Sequence, residues 1–167
     1  MEPLERFKET ILKEYPRLTI DDSFKFACHS KLKCFNQCCR DLNIFLTPYD
    51  ILRMKNRLKL SSEDFLNIYS DTIIDKNSRF PMVRLKMNHD EERKCPFVTA
   101  DGCTIYEDRP AACRIYPIGR AATKPHGQKE SVEKFFIVEE EHCLGFREKR
   151  EWTIEEWMSN EGVDEYN

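Results

Sequence analysis

The stretch Cys95-Pro96-Phe97-Val98-Thr99-Ala100-Asp101-Gly102-Cys103-Thr104-Ile105-Tyr106-Glu107-Asp108-Arg109-Pro110-Ala111-Ala112-Cys113-Arg114-Ile115-Tyr116-Pro117 decides how this chain is read. Asp101-Gly102 is a turn signal between Cys95–Val98 and Cys103–Tyr106, so the spacing predicts a hairpin with a cysteine on each side. Asp108-Arg109-Pro110 then opens a short helix through Cys113 that must stop before Pro117.

Working outward, the remaining cysteines are Cys28, Cys34, Cys38 and Cys39 upstream and Cys143 downstream, 8 in all. They fall into two blocks of four along the sequence, Cys28-x5-Cys34-x3-Cys38-Cys39 and Cys95, Cys103, Cys113 and Cys143. Four thiolates are what a structural zinc site or a cubane iron–sulfur cluster needs. Eight can therefore serve two centres, or one centre with four spare thiols. The opening Met1-Glu2-Pro3-Leu4-Glu5-Arg6 has acids where a secretory signal needs a basic and then an apolar region, so the chain reads as cytoplasmic. Disulfides seldom persist there, which puts metal ligation ahead of inert burial and of a disulfide scaffold. Neighbouring side chains point apart in a strand and about 100° apart on a helix. Cys38 and Cys39 are accordingly expected to differ in role, either feeding two nearby centres or with one ligating and the other packing.

Arg40 and Arg114 each follow a cysteine, where they either offset the negative charge of a thiolate centre or form ordinary surface ion pairs. His29 and His142 adjoin cysteines and rank below them as zinc ligands; His89 and His126 lie in polar stretches and read as solvated. Arg53, Lys55, Arg57 and Lys59 flank an Ile51–Met54–Leu58 stripe and read as its solvent side.

The frame around these residues is mixed. Leu4, Phe7, Ile11 and Leu12 predict a helix within Glu2–Tyr15 that Pro16 ends. Thr47-Pro48-Tyr49-Asp50 and Ser61-Ser62-Glu63-Asp64 are helix starts, and Thr153-Ile154-Glu155-Glu156 caps a last helix carrying Trp157 and Met158. Val83, Leu85 and Met87 predict a strand entered through Phe80-Pro81, placed at a sheet edge. Phe135–Val138 is another strand, and residues Phe24–Cys39 read as loop-rich.

The fold class is therefore α+β: a small irregular cysteine-rich metal-binding domain with several helices and a short antiparallel sheet or hairpin. An appended helix over 1–19, the cysteine domain over 20–147 and an acidic helix and tail over 148–167 are the expected divisions. From Glu139 onward ten acids face three basic residues. Net charge is -3, with pI near 5.9 and mean hydropathy -0.66, so no general nucleic-acid surface is expected. The longest apolar run, Phe135-Phe136-Ile137-Val138, is far short of the ~20 residues of a membrane helix. Glycine-rich nucleotide motifs, HExxH and GxSxG are absent, as is any separate acid–base or nucleophile constellation, which leaves catalysis open.

Phe26-Ala27-Cys28 leading to Cys34 and Cys38-Cys39, Cys95-Pro96-Phe97, Gly102-Cys103-Thr104-Ile105-Tyr106-Glu107-Asp108-Arg109-Pro110 and Cys113-Arg114-Ile115-Tyr116-Pro117 together resemble the CxxCxxCC cysteine-cluster family, from about Phe24 to Gly145. That resemblance implies zinc or iron chelation and kinship with proteins related to flagellin lysine N-methylases, hence a role in protein-lysine methyl transfer and a protein substrate or partner. The alternative is a non-catalytic structural zinc module acting as a protein-interaction domain. Five and three residues separate the first three cysteines here, where the family name has two and two. The carry-over is firmest for Cys38, Cys39, Cys95, Cys103 and Cys113. Only Cys34-x3-Cys38 has the short paired spacing of zinc turns, and Cys95 precedes a proline, so the spacing favours an iron–sulfur cluster with zinc as the standing alternative.

Overall fold

The computed structural model describes residues 18–74, 79–123 and 132–166. The helix expected within Glu2–Tyr15 and the position of His126 lie outside them. Along the chain run β1 (Ser23–Lys25), β2 (Phe45–Leu46), α1 (Pro48–Leu58), α2 (Ser62–Tyr69), β3 (Ser70–Ile74), β4 (Pro81–Leu85), β5 (Val98–Thr99), β6 (Gly102–Cys103), α3 (Ala111–Ile115), β7 (Ile118–Thr123), β8 (Val132–Ile137), β9 (Glu151–Thr153) and α4 (Ile154–Asn160). The fold is α+β, with small antiparallel sheets β1-β9, β2-β4-β3, β5-β6 and β7-β8. Among the described residues no helix is long and apolar enough to cross a membrane.

Two hydrophobic cores result among the described residues. The first gathers Phe26, Ile118, Phe135, Trp152, Ile154, Trp157, Met158 and Val163. Phe26 stands edge-on to Trp157 with ring centroids 5.4 Å apart, and the Trp152 indole N–H donates to the Phe26 carbonyl at 3.0 Å. β9 brings Trp152 there by pairing opposite Phe24 of β1. The second core gathers Ile44, Leu46, Met54, Phe65, Leu85, Met87, Phe97 and Ile105, with Cys95, Cys103 and Cys113 packed on it.

The helix starts legible in the sequence are present. Thr47 and Thr153 each form a reciprocal capping box, with Asp50 and Glu156, and the Ser61 side chain accepts from the Asp64 N–H. The Asp101-Gly102 hairpin is formed, Gly102 taking a φ of +119° that its missing Cβ permits. The β4 strand is also present, yet it lies between β2 and β3 and not at an edge. Pro81 is tolerated because it sits at the strand's first position, opposite Ile74 at the end of the ladder. The expected helix after Asp108 begins later: Tyr106–Asp108 is a single 3-10 turn, and α3 starts at Ala111.

The α3 start takes its acceptor from a remote element. Asp50 is buried, receives the Thr47 N–H at 2.7 Å with one oxygen and accepts the Ala111 N–H at 2.7 Å with the other. One carboxylate thus serves two helix N-termini and ties α1 to the helix carrying Cys113. Asp50→Ala is expected to destabilise the protein by about 3 kcal/mol, through a lost cap and buried donors left without their charged acceptor. The urea midpoint at unchanged m-value measures this. A loss below about 1 kcal/mol, the size of a surface cap alone, would show the link to Ala111 to be dispensable.

Candidate metal centre

All eight cysteines are free thiols within the described residues. Residues 26–40 run between the two cores and are fastened on both sides. Near their start, the Ala27 N–H donates to the Gly145 carbonyl at 3.2 Å, and the Leu144 N–H donates to Cys34 Sγ at 3.2 Å. Gly145 permits this approach, since a Cβ there would stand 2.5 Å from a Phe26 ring carbon and 2.9 Å from the Ala27 carbonyl oxygen. Near their end, the Cys95 N–H donates to the Cys39 carbonyl at 2.8 Å, and Arg40 pairs with Lys94 in an isolated bridge. The two sequence blocks therefore cross over. Cys143 joins the side of Cys28 and Cys34, while Cys39 joins the side of Cys95, to which the hairpin and α3 add Cys103 and Cys113.

The electrostatics put Cys38 between the two groups, since it raises Cys28 on one side and Cys95 and Cys113 on the other. Cys28 lies at the surface, yet the protein around its sulfur, followed by Cys38, Cys34 and Cys143, pushes its thiol up to about 11. Burial pushes Cys95 up to about 11; burial and then Cys95 and Cys103 push Cys113 up to about 12. Cys103 is raised chiefly by burial. Cys38 and Cys39 share a thiol hydrogen bond within the 3-10 turn Gln37–Cys39, which lowers Cys38 and raises Cys39. A 3-10 turn rotates successive side chains by about 120°, and here the two sulfurs still stay within reach of each other. Cys39 also feels Cys95 and Cys113, and Cys28 feels Cys38. The adjacent pair is the junction of the two groups.

Among the described residues, no three His, Cys, Asp or Glu side chains converge closely enough, as placed, to grip one ion. Closing either group on a metal requires thiols to rotate inward and to release their protons, because the raised thiols are protonated at neutral pH. The donor set suits such an ion, since clustered sulfurs are the ligands that select zinc and iron–sulfur clusters. A buried orphan points the same way. The Tyr116 hydroxyl has no hydrogen-bond partner among the described residues, and burial, followed by Cys143, raises the phenol. An unsatisfied buried hydroxyl costs about 1–3 kcal/mol.

The other sequence candidates are placed differently. His29 is exposed and faces Glu148 at 3.6 Å; His142 and His89 are exposed. Arg40 pairs with Glu92 at the surface, the ordinary alternative. Arg114 is neither a surface ion pair nor a partner of sulfur: it is buried and donates to the carbonyls of Arg109, Glu161 and Glu107. Arg53, expected on the solvent side of α1, pairs instead with Asp108 at 3.2 Å and with Glu165. Sequence patterning had no means of finding these partners, because each lies 47 or more residues away or on a backbone carbonyl of an irregular turn. Arg53 and Arg114 line a polar cleft of about 370 Å³ with Tyr106, Arg109 and Glu161. Arg109 stacks on the Tyr106 ring at 3.7 Å and pairs with Glu161, whose charge reaches both Tyr106 and Cys28. The cleft therefore lies near thiols of both groups, since Arg109 in turn lowers Cys103 and Cys113.

An α+β frame that presents eight thiols between two cores defines a cysteine-rich chelating protein. The chain belongs to the CxxCxxCC family, whose model, described as a "putative zinc- or iron-chelating domain", matches residues 27–144. No curated protein and no solved structure matched the chain.

Proposed function

We propose that the chain holds metal at two adjoining thiolate sites, one from Cys28, Cys34, Cys38 and Cys143 and the other from Cys39, Cys95, Cys103 and Cys113. The observation that carries this reading is the crossing of the two blocks, in which Cys39 is bound to Cys95 through the backbone while Cys34 takes the N–H next to Cys143. Iron–sulfur is the favoured occupant. The gaps Cys28-x5-Cys34, Cys95-x7-Cys103 and Cys103-x9-Cys113 are unlike the short paired turns of zinc sites. Bound there, a cluster would supply one-electron chemistry, and zinc would supply a Lewis acid or a crosslink.

The two sites differ in access, which supports a division of labour. The first site joins exposed Cys28 and Cys38 to half-buried Cys143 and buried Cys34, whereas Cys39, Cys95, Cys103 and Cys113 are all half-buried. The more open site is the one for chemistry or exchange, and the enclosed site holds the fold. Support of protein-lysine methyl transfer would put the protein substrate at the cleft of Tyr106, Arg109 and Glu161.

The test is purification without oxygen followed by iron, zinc and acid-labile sulfide analysis. Tightly bound iron with inorganic sulfide is the expected result. Zinc without sulfide would favour a structural zinc module acting as an interaction domain. Neither metal above trace, with all eight thiols freely titratable in the folded protein, would sink chelation by these cysteines.

A further inference from the structure

We propose that the surface around the exposed Cys28 docks an acidic peptide segment of a partner protein, held by the cations Lys31, Lys33, Arg147 and Lys149.

The chain carries a net charge of -3, yet residues 23–38 and 143–150 together hold six basic residues against one acid, Glu148. The six are Lys25, Lys31, Lys33, Arg147, Lys149 and Arg150, and all are exposed. Folding lays the two segments side by side. The Phe26 N–H donates to the Arg150 carbonyl at 2.9 Å, the Ala27 N–H to the Gly145 carbonyl at 3.2 Å and the Leu144 N–H to Cys34 Sγ at 3.2 Å. His29 faces Glu148 at 3.6 Å, which sets Arg147 and Lys149 beside the turns that carry Lys31 and Lys33. Glu148 is thereby taken up, Lys25 lies opposite Glu151, and Arg150 stacks on the Trp152 ring at 3.7 Å. Lys31, Lys33, Arg147 and Lys149 form no ion pair among the described residues.

Like charges gathered in this way repel one another, and a partner's carboxylates would turn that repulsion into attraction. The thiols beneath do not account for them. A tetrathiolate zinc site carries roughly two negative charges, and exposed side chains in water offset such a charge weakly. The patch also has a border, because Glu139, Glu140 and Glu141 are exposed just ahead of Cys143 and Glu151 flanks Lys25. Those carboxylates would repel a long polyanion such as a nucleic acid or an anionic bilayer, and they suit a short acidic stretch with cations on either side. The charges stay where they are whichever metal the thiols hold.

The test mixes the protein, purified without oxygen, with a fluorescently labelled oligoglutamate peptide; an oligothymidylate of equal charge and phosphatidylserine vesicles are the other arms. At about 10 mM salt, where the screening length is about 30 Å, the peptide should bind, and at about 0.15 M, with a screening length of about 8 Å, binding should weaken. Lys31→Glu with Lys33→Glu should weaken it about tenfold, and so should Arg147→Glu with Lys149→Glu, since each reversal sets like charges face to face. The same change of net charge on α1, Lys55→Glu with Arg57→Glu, should leave binding nearly as in wild type. Should a reversal alter the far-ultraviolet circular dichroism, Lys31→Gln with Lys33→Gln makes the same comparison with a smaller loss. No peptide binding at low salt, losses from the patch variants no larger than from the α1 variant, or tighter binding of the oligothymidylate or the vesicles would overturn the proposal. Any of these would leave the metal assignment standing, because metal and sulfide are measured independently.

Discussion

Removing the metal is expected to cost the protein on the order of 10 kcal/mol per tetrathiolate site, comparable with the ~5–15 kcal/mol that holds a whole domain together. The loss should be regional. Residues 28–39 contain one 3-10 turn, Gln37–Cys39, and no α-helix or strand, and α3 and the hairpin strands β5 and β6 are very short, so little local hydrogen bonding sustains them. α1 and α2 have their own support in a capping box, a serine cap and the fully buried Met54 and Phe65. Hydrogen exchange with and without a chelator should therefore show amide protection collapsing over 28–39 and 95–113 and persisting longest in α1 and α2. Unchanged protection in both cysteine segments of the apoprotein would mean that metal does not organise the fold, and its role would have to be chemical.

Cys38→Ser and Cys39→Ser should each empty one site, and a different one. If the sites are divided as proposed, Cys38→Ser loses the metal shared with Cys28, Cys34 and Cys143, and Cys39→Ser loses the metal shared with Cys95, Cys103 and Cys113. Double variants make the division measurable. Cys38→Ser with Cys143→Ser should bind no less metal than either alone, because both strike one site, whereas Cys38→Ser with Cys113→Ser should lose both metals. The Cys39→Ser loss should also lower stability more, since its partners are half-buried and packed on the second core. Identical metal loss from the two single variants, each removing the same centre, would contradict the division at the Cys38–Cys39 junction.

Much of the frame is legible in the chain because it rests on contacts between residues a few positions apart. Thr47 with Asp50, Ser61 with Asp64 and Thr153 with Glu156 are bonded three residues apart, and the Asp101-Gly102 hairpin needs only its own turn. Strands β7 and β1 lack a local signature. β7, Ile-Gly-Arg-Ala-Ala-Thr, has neither alternation nor β-branched density, and exists because β8 pairs with it residue by residue from Ile118–Ile137 to Thr123–Val132. Gly119 lies opposite Phe136, whose ring would stand 2.2 Å from a Cβ there. β1, only three residues long, is made by β9 from the far end of the sequence.

By itself the sequence determined the α+β class, the helix starts, the hairpin, the number of sulfurs and the family to which they belong, since each is carried by composition or by motifs of a few residues. The tertiary structure alone decided which cysteines are neighbours. Cys39 meets Cys95 and Cys34 meets the turn at Cys143 only because two hydrophobic cores clamp residues 26–40 between segments far along the chain. The same packing turned Arg114 and Arg53 away from the roles their positions in the sequence suggested and left the Tyr116 hydroxyl buried without a partner among the described residues. Spacing along a chain constrains only those ligands whose linking loop is too short to choose. Across gaps such as Cys39 to Cys95, many closures cost nearly the same loop entropy, and the burial of Phe26, Trp157, Met54 and Phe65 selects among them.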